Sequence, residues 1–307
     1  NRYNYHNPYY YGGNYYGYGY DSYNLGGYTM RIPYTDLYAP GERKQRTFTT
    51  SRDGSSPQTN LTVTRTRSTQ SNNNNSDYTN DYLNYPYIRD QAPIVVLSNN
   101  QRHPRGRRGK KWVNFQGSSL GFSLCLRFDK SLNEYNILTH LVGISIIESC
   151  KALGNEQLRI KWPNDIMQGN KKVCGTLIEN LINNKNSFYS MIGFGFNISI
   201  PKDLIKFIEG HPANIDLEKD QVDLLIGTTI SFLQKNIRLY EKNGFDDFKT
   251  KWNEFMYAKD KNVILTSRMK EIEGKLLGIN RLGELQIQTK EKIVSLSDIN
   301  YSMRLLS

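Results

Sequence analysis

Residues 101–112 read QRHPRGRRGKKW. Six of these twelve residues are cationic (Arg102, Arg105, Arg107, Arg108, Lys110 and Lys111), and Gly106 and Gly109 interrupt them. Glycine lets the main chain turn sharply and come close to a ligand. Guanidinium groups match phosphate and carboxylate oxygens in bidentate geometry. The run follows residues 92–98, APIVVLS, whose apolar character reads as a buried strand. A cationic glycine loop leaving a strand makes an anion cradle. Arginine-rich patches of this length also serve as nucleic-acid surfaces or localisation signals, and composition alone leaves the two readings level.

Downstream the pattern is that of a folded domain. Residues 120–128 alternate as a second strand. Leu138, Val142, Ile146, Cys150 and Leu153 fall on one face of a helix that stops at Gly154. Residues 158–162, 173–179 and 190–198 read as further strands, with 164–170 turn-like between them. Helical spacing returns over 222–240 and 246–255. Beyond Ala258 four short strands are expected, at 263–267, 272–277, 285–289 and 293–296. Such spacing suggests a small β-barrel or sandwich.

Three more stretches carry chemistry. Residues 161–165 read KWPND; Pro163 and Asn164 turn the chain at a strand end and bring Lys161 and Asp165 together. That pair suits a phosphate with its magnesium, or a structural ion pair beside a turn. Lys171 and Lys172 lead into Val173-Cys174-Gly175, and a lysine at the mouth of an apolar strand can hold a carboxylate. Gly193-Phe194-Gly195-Phe196-Asn197 closes a strand, and its asparagine could hydrogen-bond a base or ribose.

The ends of the chain set bounds. It has 307 residues, enough for one large or two smaller domains. Thirteen of its 22 tyrosines lie between Tyr3 and Tyr38, and a Pro/Ser/Thr/Asn mixture follows, ending in 72–75, NNNN. With so few aliphatic side chains, residues 1–77 have little to offset the entropy of ordering a backbone, so we expect them to be low-complexity and disordered or weakly structured. They hold no intact signal peptide and no initiator methionine, as expected of a fragment or a processed start. No apolar run approaches the roughly 20 residues of a membrane helix. Cys125, Cys150 and Cys174 are widely spaced in apolar surroundings and read as reduced core residues of a cytoplasmic protein. The net charge of +11 fits an anionic ligand or a solvated basic surface equally.

In order, the arginine-rich glycine loop, KWPND, KKxxG and GxGxN resemble the catalytic domain of biotin protein ligases. The resemblance runs from about Tyr78 to the end of the chain. It implies an α+β fold, a mixed β-sheet packed with helices of the class II synthetase-like kind, over 78–257, with a small SH3-like β-barrel over 258–307. It implies an ATP-dependent enzyme that makes biotinyl-5'-AMP and transfers biotin to a lysine of a biotin carboxyl carrier domain of a biotin-dependent carboxylase. By the same resemblance, Thr79, Asn80, Gln101, Arg105, Gly106, Arg107, Lys172 and Gly175 would form the biotin site. Arg108, Trp112, Asn164 and Asn197 would meet the adenylate. Lys172, Arg107, Lys161 and Asp165 would carry the chemistry, with Asp165 beside magnesium.

Departures from the family pattern concentrate in the biotin site. Tyr78 stands where the family has a serine, His103 where a small residue is usual, and Pro104 where glycine is usual. Proline removes an N–H and with it a possible main-chain contact. Residues 1–77 show no pair of amphipathic helices, so no operator-DNA binding is expected, and no membrane association. A homodimer is compatible with the family. Competing readings are a lipoate-ligase-like acyl transferase and a non-catalytic nucleic-acid or scaffold protein.

Overall fold

The computed structural model describes residues 20–25, 28–33, 44–52, 59–66, 79–98, 101, 104–113, 115, 118–206, 208, 211–215, 217, 221–267, 269–297 and 301–306. Tyr78, His103 and much of 1–77 lie outside them.

Four strands fall where composition led us to expect little ordered structure: β1 (Tyr20–Leu25), β2 (Tyr28–Pro33), β3 (Lys44–Arg52) and β4 (Thr59–Thr66). The sequence of β4 alternates Leu61 and Val63 with threonines, a composition suited to strands. Two short helices, α1 (Thr79–Leu83) and α2 (Pro86–Arg89), lead into β5 (Ile94–Ser98). β4 pairs in parallel with β5, Thr62 opposite Ile94, so the edge of β5 is covered.

β6 (Ser119–Phe128) then returns antiparallel to β5. After α3 (Leu138–Ala152) come β7 (Leu158–Lys161), β8 (Asp165–Gln168), β9 (Lys171–Asn184) and β10 (Ser187–Asn197). The ten strands form one sheet in the order β1-β2-β3-β4-β5-β6-β10-β9-β8-β7, mixed through its single parallel pair. The expected turn at 164–170 is corrected: within it β8 pairs with β7 on one side and β9 on the other.

Alternation on these strands sends side chains to two faces. Val95, Phe122, Leu124, Phe194 and Phe196 enter the main core. The rings of Phe122 and Phe194 stack at 4.4 Å. This core is closed by α3 and, after the single turn α4 (Lys202–Ile205), by α5 (Gln221–Asn243) and α6 (Asp246–Phe255). α3 is buried on most sides rather than one because it lies between the sheet and these helices; among its residues Leu138, Leu141, Val142, Ile144, Ile146 and Ile147 are all buried. Gly143 lets Trp252 of α6 approach, since a Cβ there would stand 3.0 Å from the indole. Burying a side chain of this size contributes about 1.5–3 kcal/mol.

The opposite face carries a smaller cluster, with Leu83 and Ile88 of α1 and α2 covering Ile94, Val96, Cys125, Tyr189 and Met191. Further along the same face the sheet is bare, and there the cleft opens.

The C-terminal strands make a separate five-stranded antiparallel sheet of β11 (Asn262–Thr266), β12 (Glu271–Ile279), β13 (Leu285–Gln288), β14 (Ile293–Leu296) and β15 (Ser302–Leu305), ordered β14-β13-β12-β11-β15. The fifth strand, β15, was not anticipated. Its four residues offer little alternation of their own and form a strand by pairing with β11.

Candidate functional site

The bare part of the sheet is a row of glycines. Gly195 on β10 is opposite Gly121 on β6 and Gly175 on β9, and Gly175 is opposite Asp165 on β8. Side chains from elsewhere lie across this row. A Cβ on Gly121 would collide with the Gln101 amide, and one on Gly195 would stand 2.9–3.2 Å from the Trp112 indole. One on Gly175 would stand 2.9 Å from Lys172 Nζ and 3.3 Å from Trp112. Only glycine leaves this space open. Over the row lies a cleft of about 1110 Å³.

The arginine loop forms one wall by folding back on itself. Gly106 N–H donates to Lys110 C=O at 2.6 Å, and Lys110 N–H to Arg107 C=O at 3.2 Å. Arg108 and Gly109 take φ of 59° and 70° at the tip, a conformation glycine adopts freely and arginine rarely. Trp112 N–H donates to Pro104 C=O at 3.0 Å, closing the loop through the carbonyl that proline retains.

Two pairs at the floor bring the separate motifs together. Arg107 Nη1 donates to Asn164 Oδ1 at 3.0 Å, while Asn164 Nδ2 donates to Thr176 C=O at 2.6 Å. The asparagine of KWPND therefore orients an arginine of the loop. Lys172 Nζ lies 2.6 Å from Asp165 Oδ1 and 5.3 Å from the centre of the Trp112 ring. The main chain of Lys172 is fixed as well. Its N–H donates to His211 C=O at 2.7 Å, and its C=O accepts from Ala213 N–H at 2.9 Å and Asn197 Nδ2 at 3.1 Å. The Asn197 amide is thus engaged in holding the strand mouth.

The other end of the cleft is polar and closed. Ser123 donates its proton to Asn80 Oδ1, so the Thr79 hydroxyl must be the donor to Ser123. Asn80 Nδ2 donates to Glu179 Oε2 at 2.8 Å. Arg105 is clamped between Asp81 and Glu179. Burial, more than the Glu179 charge, raises the Asp81 pKa, against the pull of Arg105. Gln101 is 7% exposed, lines the cleft, and its Oε1 has no hydrogen-bond partner among the described residues. A buried acceptor of this kind calls for a donor on a ligand.

Every residue proposed from the sequence lines the cleft except Asn80, which is buried behind it. Sequence reading missed Ser123, Glu179 and Gly121, which sit in no motif and are placed here by strand register, and Asp81, which α1 carries beside Thr79 and Asn80. It also missed the 211–212 segment, Tyr257 and residues 301–305 of the C-terminal sheet, all in the cleft wall.

Charge in the cleft is one-sided. Arg105, Arg107, Arg108, Lys110, Lys111, Lys161, Lys172 and Arg304 line it, against the carboxylate of Asp165 alone among the described lining residues. Burial lowers the Lys161 pKa, and the nearby Lys172, Arg304 and Lys110 charges add to this against Asp165. Such a field favours a polyanion. It does not suit a metal held by protein ligands: Asp165 Oδ1 is taken by Lys172, and no group of three possible ligands occurs among the described residues. Among those residues no helix is long and apolar enough to cross a membrane, and Cys125, Cys150 and Cys174 are free, buried thiols.

Comparison with known proteins gives a consistent picture. The Biotin/lipoate A/B protein ligase family matches residues 63–197. The bifunctional ligase/repressor BirA of Salmonella typhimurium is 28% identical over 217 residues, 69% of this chain and 67% of that protein. The human biotin–protein ligase is 28% identical over 164 residues, 49% of this chain and 22% of that protein. The chain thus spans about two thirds of the length of its bacterial relative. Among solved structures, the biotin protein ligase of Aquifex aeolicus in complex with biotin and ATP has the same fold, with a TM-score of 0.62, 24% identity, and coverage of 75% of this chain and 96% of that one. The matched span, residues 63–197, holds the arginine loop, KWPND, Lys172 and the glycine row.

Proposed function

We propose that this chain is an ATP-dependent biotin protein ligase. The observation that carries the reading is the meeting of two cation pairs, Arg107–Asn164 and Lys172–Asp165, beside a bare glycine row whose far end presents the unpartnered Gln101 acceptor. A ligand with a donor group at one end and a carboxylate at the other fits that layout. Biotin has both, in its ureido N–H groups and its valeryl carboxylate.

In the first step a carboxylate oxygen of biotin attacks the α-phosphorus of ATP. The bond from that phosphorus to the bridging oxygen breaks, and pyrophosphate leaves with the electron pair. Negative charge builds on the phosphate oxygens, and Arg107 and Lys172 stand ready to meet it. Preorganised cations of this kind are among the strongest sources of catalysis. Asn164 orients Arg107, and Asp165 positions Lys172 Nζ. Lys161 adds a further cation at the same end of the cleft. Magnesium reaches such a site on the nucleotide phosphates.

In the second step a neutral lysine amine of the acceptor attacks the acyl carbon of biotinyl-5'-AMP. The bond between that carbon and the phosphate oxygen breaks, AMP departs, and the amine loses a proton. The stacked loop and Trp112 cover the anhydride against water in the interval. The acceptor is the carboxyl carrier domain of a biotin-dependent carboxylase, and the reaction belongs in the cytoplasm, where ATP and reduced thiols coexist. DNA binding, which the names of bifunctional relatives include, is no part of this proposal.

The test is biotin- and ATP-dependent release of pyrophosphate, followed by transfer of labelled biotin to a carrier domain, with wild-type protein beside Lys172→Ala. Activity in the first alone supports the ligase reading. Equal or greater rates with lipoate would move the chain to lipoate ligation. No pyrophosphate with either acid from folded protein would overturn it.

A further inference from the structure

The polar end of the cleft is closed by side chains whose protons run one way. Thr79, Asn80 and Ser123 are buried, at 3%, 0% and 0% exposure, so bulk water does not reorder the bonds between them. Of the three, Thr79 alone lines the cleft. Asn80 on α1 and Ser123 on β6 stand behind it.

The order of donors and acceptors follows from the back of this chain of bonds. A carboxylate oxygen and a main-chain carbonyl only accept. Asn80 therefore turns its Nδ2 to Glu179 Oε2, at 2.8 Å, and towards Leu177 C=O, at 3.5 Å. Its Oδ1 is left facing Ser123, whose one proton goes to it. Ser123 Oγ then has only lone pairs for Thr79, and the Thr79 proton is committed to Ser123. Thr79 presents lone pairs alone to the cleft. A free hydroxyl donates or accepts by turning about its C–O bond, and the bonds behind Thr79 take that choice away. Gln101, the other polar group at this end, stands outside the chain of bonds.

We propose that Ser123 is a positioning residue for substrate choice: by taking the Thr79 proton it makes this point of the cleft an acceptor only, and so selects an acid whose head group carries an N–H there. Ser123 itself touches no substrate. An oxygen or a sulfur at the same place would face the Thr79 lone pairs with no proton between them. A buried acceptor left unpaired in this way is the strongest source of discrimination that a polar site has. This assignment rests on the ligase reading above and adds to it which head groups the site rejects, and through which residue.

Two cyclic carbamates test it, each differing from biotin by an oxygen in place of one ureido N–H. ATP-dependent pyrophosphate release is followed with biotin and with each carbamate, for the wild-type chain and for Ser123→Ala. In the wild type, kcat/KM should be at least about 100-fold lower for the isomer that sets its oxygen against Thr79. In Ser123→Ala the Thr79 proton can turn to that oxygen, and the preference for biotin over this isomer should narrow about tenfold. The preference over the other isomer, whose oxygen meets Gln101, should not move. A general loosening of the site would blunt both preferences alike. Wild-type protein that uses biotin and both carbamates equally well would overturn the proposal without any variant. So would a Ser123→Ala protein in which both preferences are unchanged, or in which both narrow equally. Wild-type protein that releases no pyrophosphate with biotin would instead overturn the ligase reading.

Discussion

Gly195 and Gly175 face one another across β10 and β9, and the indole of Trp112 covers both. The two glycines are not equivalent. A methyl group on Gly195 meets first the rigid ring of Trp112, at 2.9–3.2 Å, whereas one on Gly175 meets first the mobile end of Lys172 at 2.9 Å. Gly195→Ala should therefore displace the ring and raise the KM for ATP about tenfold, leaving kcat nearly unchanged. Gly175→Ala should move the ammonium instead and lower kcat. Initial rates of pyrophosphate release over a range of ATP concentrations separate the two.

Lys172 and Asp165 are both partly buried and 2.6 Å apart. Lys172→Ala should lower adenylate formation about 100- to 1,000-fold, the usual effect of losing one preorganised group. Asp165→Asn keeps the lysine but not the ion pair that aims it, so its loss should be smaller. Single-turnover formation of the adenylate measures both, and circular dichroism checks that the fold persists. Equal losses would mean that Asp165 does more than position the lysine.

Arg105 ties the loop to α1 through Asp81 and to β9 through Glu179. Asp81→Asn combined with Glu179→Gln should release that end of the loop. The adenylate should then escape or hydrolyse faster, by about tenfold, while the Arg107–Asn164 contact and the rate of its formation are little changed. Trapping released biotinyl-5'-AMP in the absence of acceptor reads this directly.

His140 gives the fold an acid limit. It is buried against the Trp252 and Phe245 rings, and burial lowers its pKa from 6.5 to about 4. The unfolded chain therefore takes up this proton at a higher pH than the folded one. Stability should hold above pH 6.5 and decline below it, by about 2 kcal/mol at pH 5, levelling off near pH 4. Urea midpoints from pH 7 to pH 5 measure the slope. His140→Phe, which keeps the aromatic contacts, should remove this component of it.

Much of the fold could be read from residues whose spacing is self-sufficient. The apolar runs of β5, β6 and β10 and the stripe of α5 carry their own period. What escaped depends on neighbours. β8 offers only Ile166 and Met167 as apolar residues and is a strand because β7 and β9 hold it on both sides. β15 stands in the same relation to β11. The cleft divides in the same way. Arg107, Asn164, Asp165 and Lys172 sit in compact motifs whose chemistry is local. Ser123, Glu179 and Gly121 are ordinary strand residues, and only the register of three adjacent strands reveals what they face. The segment at 211–213 acts through its main chain on Lys172, which side-chain identity does not encode.

The placement of Trp112 also gives the protein an optical probe of its own. The chain has three tryptophans. Trp252 is wholly enclosed and Trp162 nearly so, at 0% and 3% exposure, while Trp112 is half-buried on the cleft floor beside a lysine ammonium. Iodide in solution should quench only that third emitter. Filling the cleft should shield it and shift its colour, so occupancy can be followed in real time, on unlabelled protein, before any bond is made.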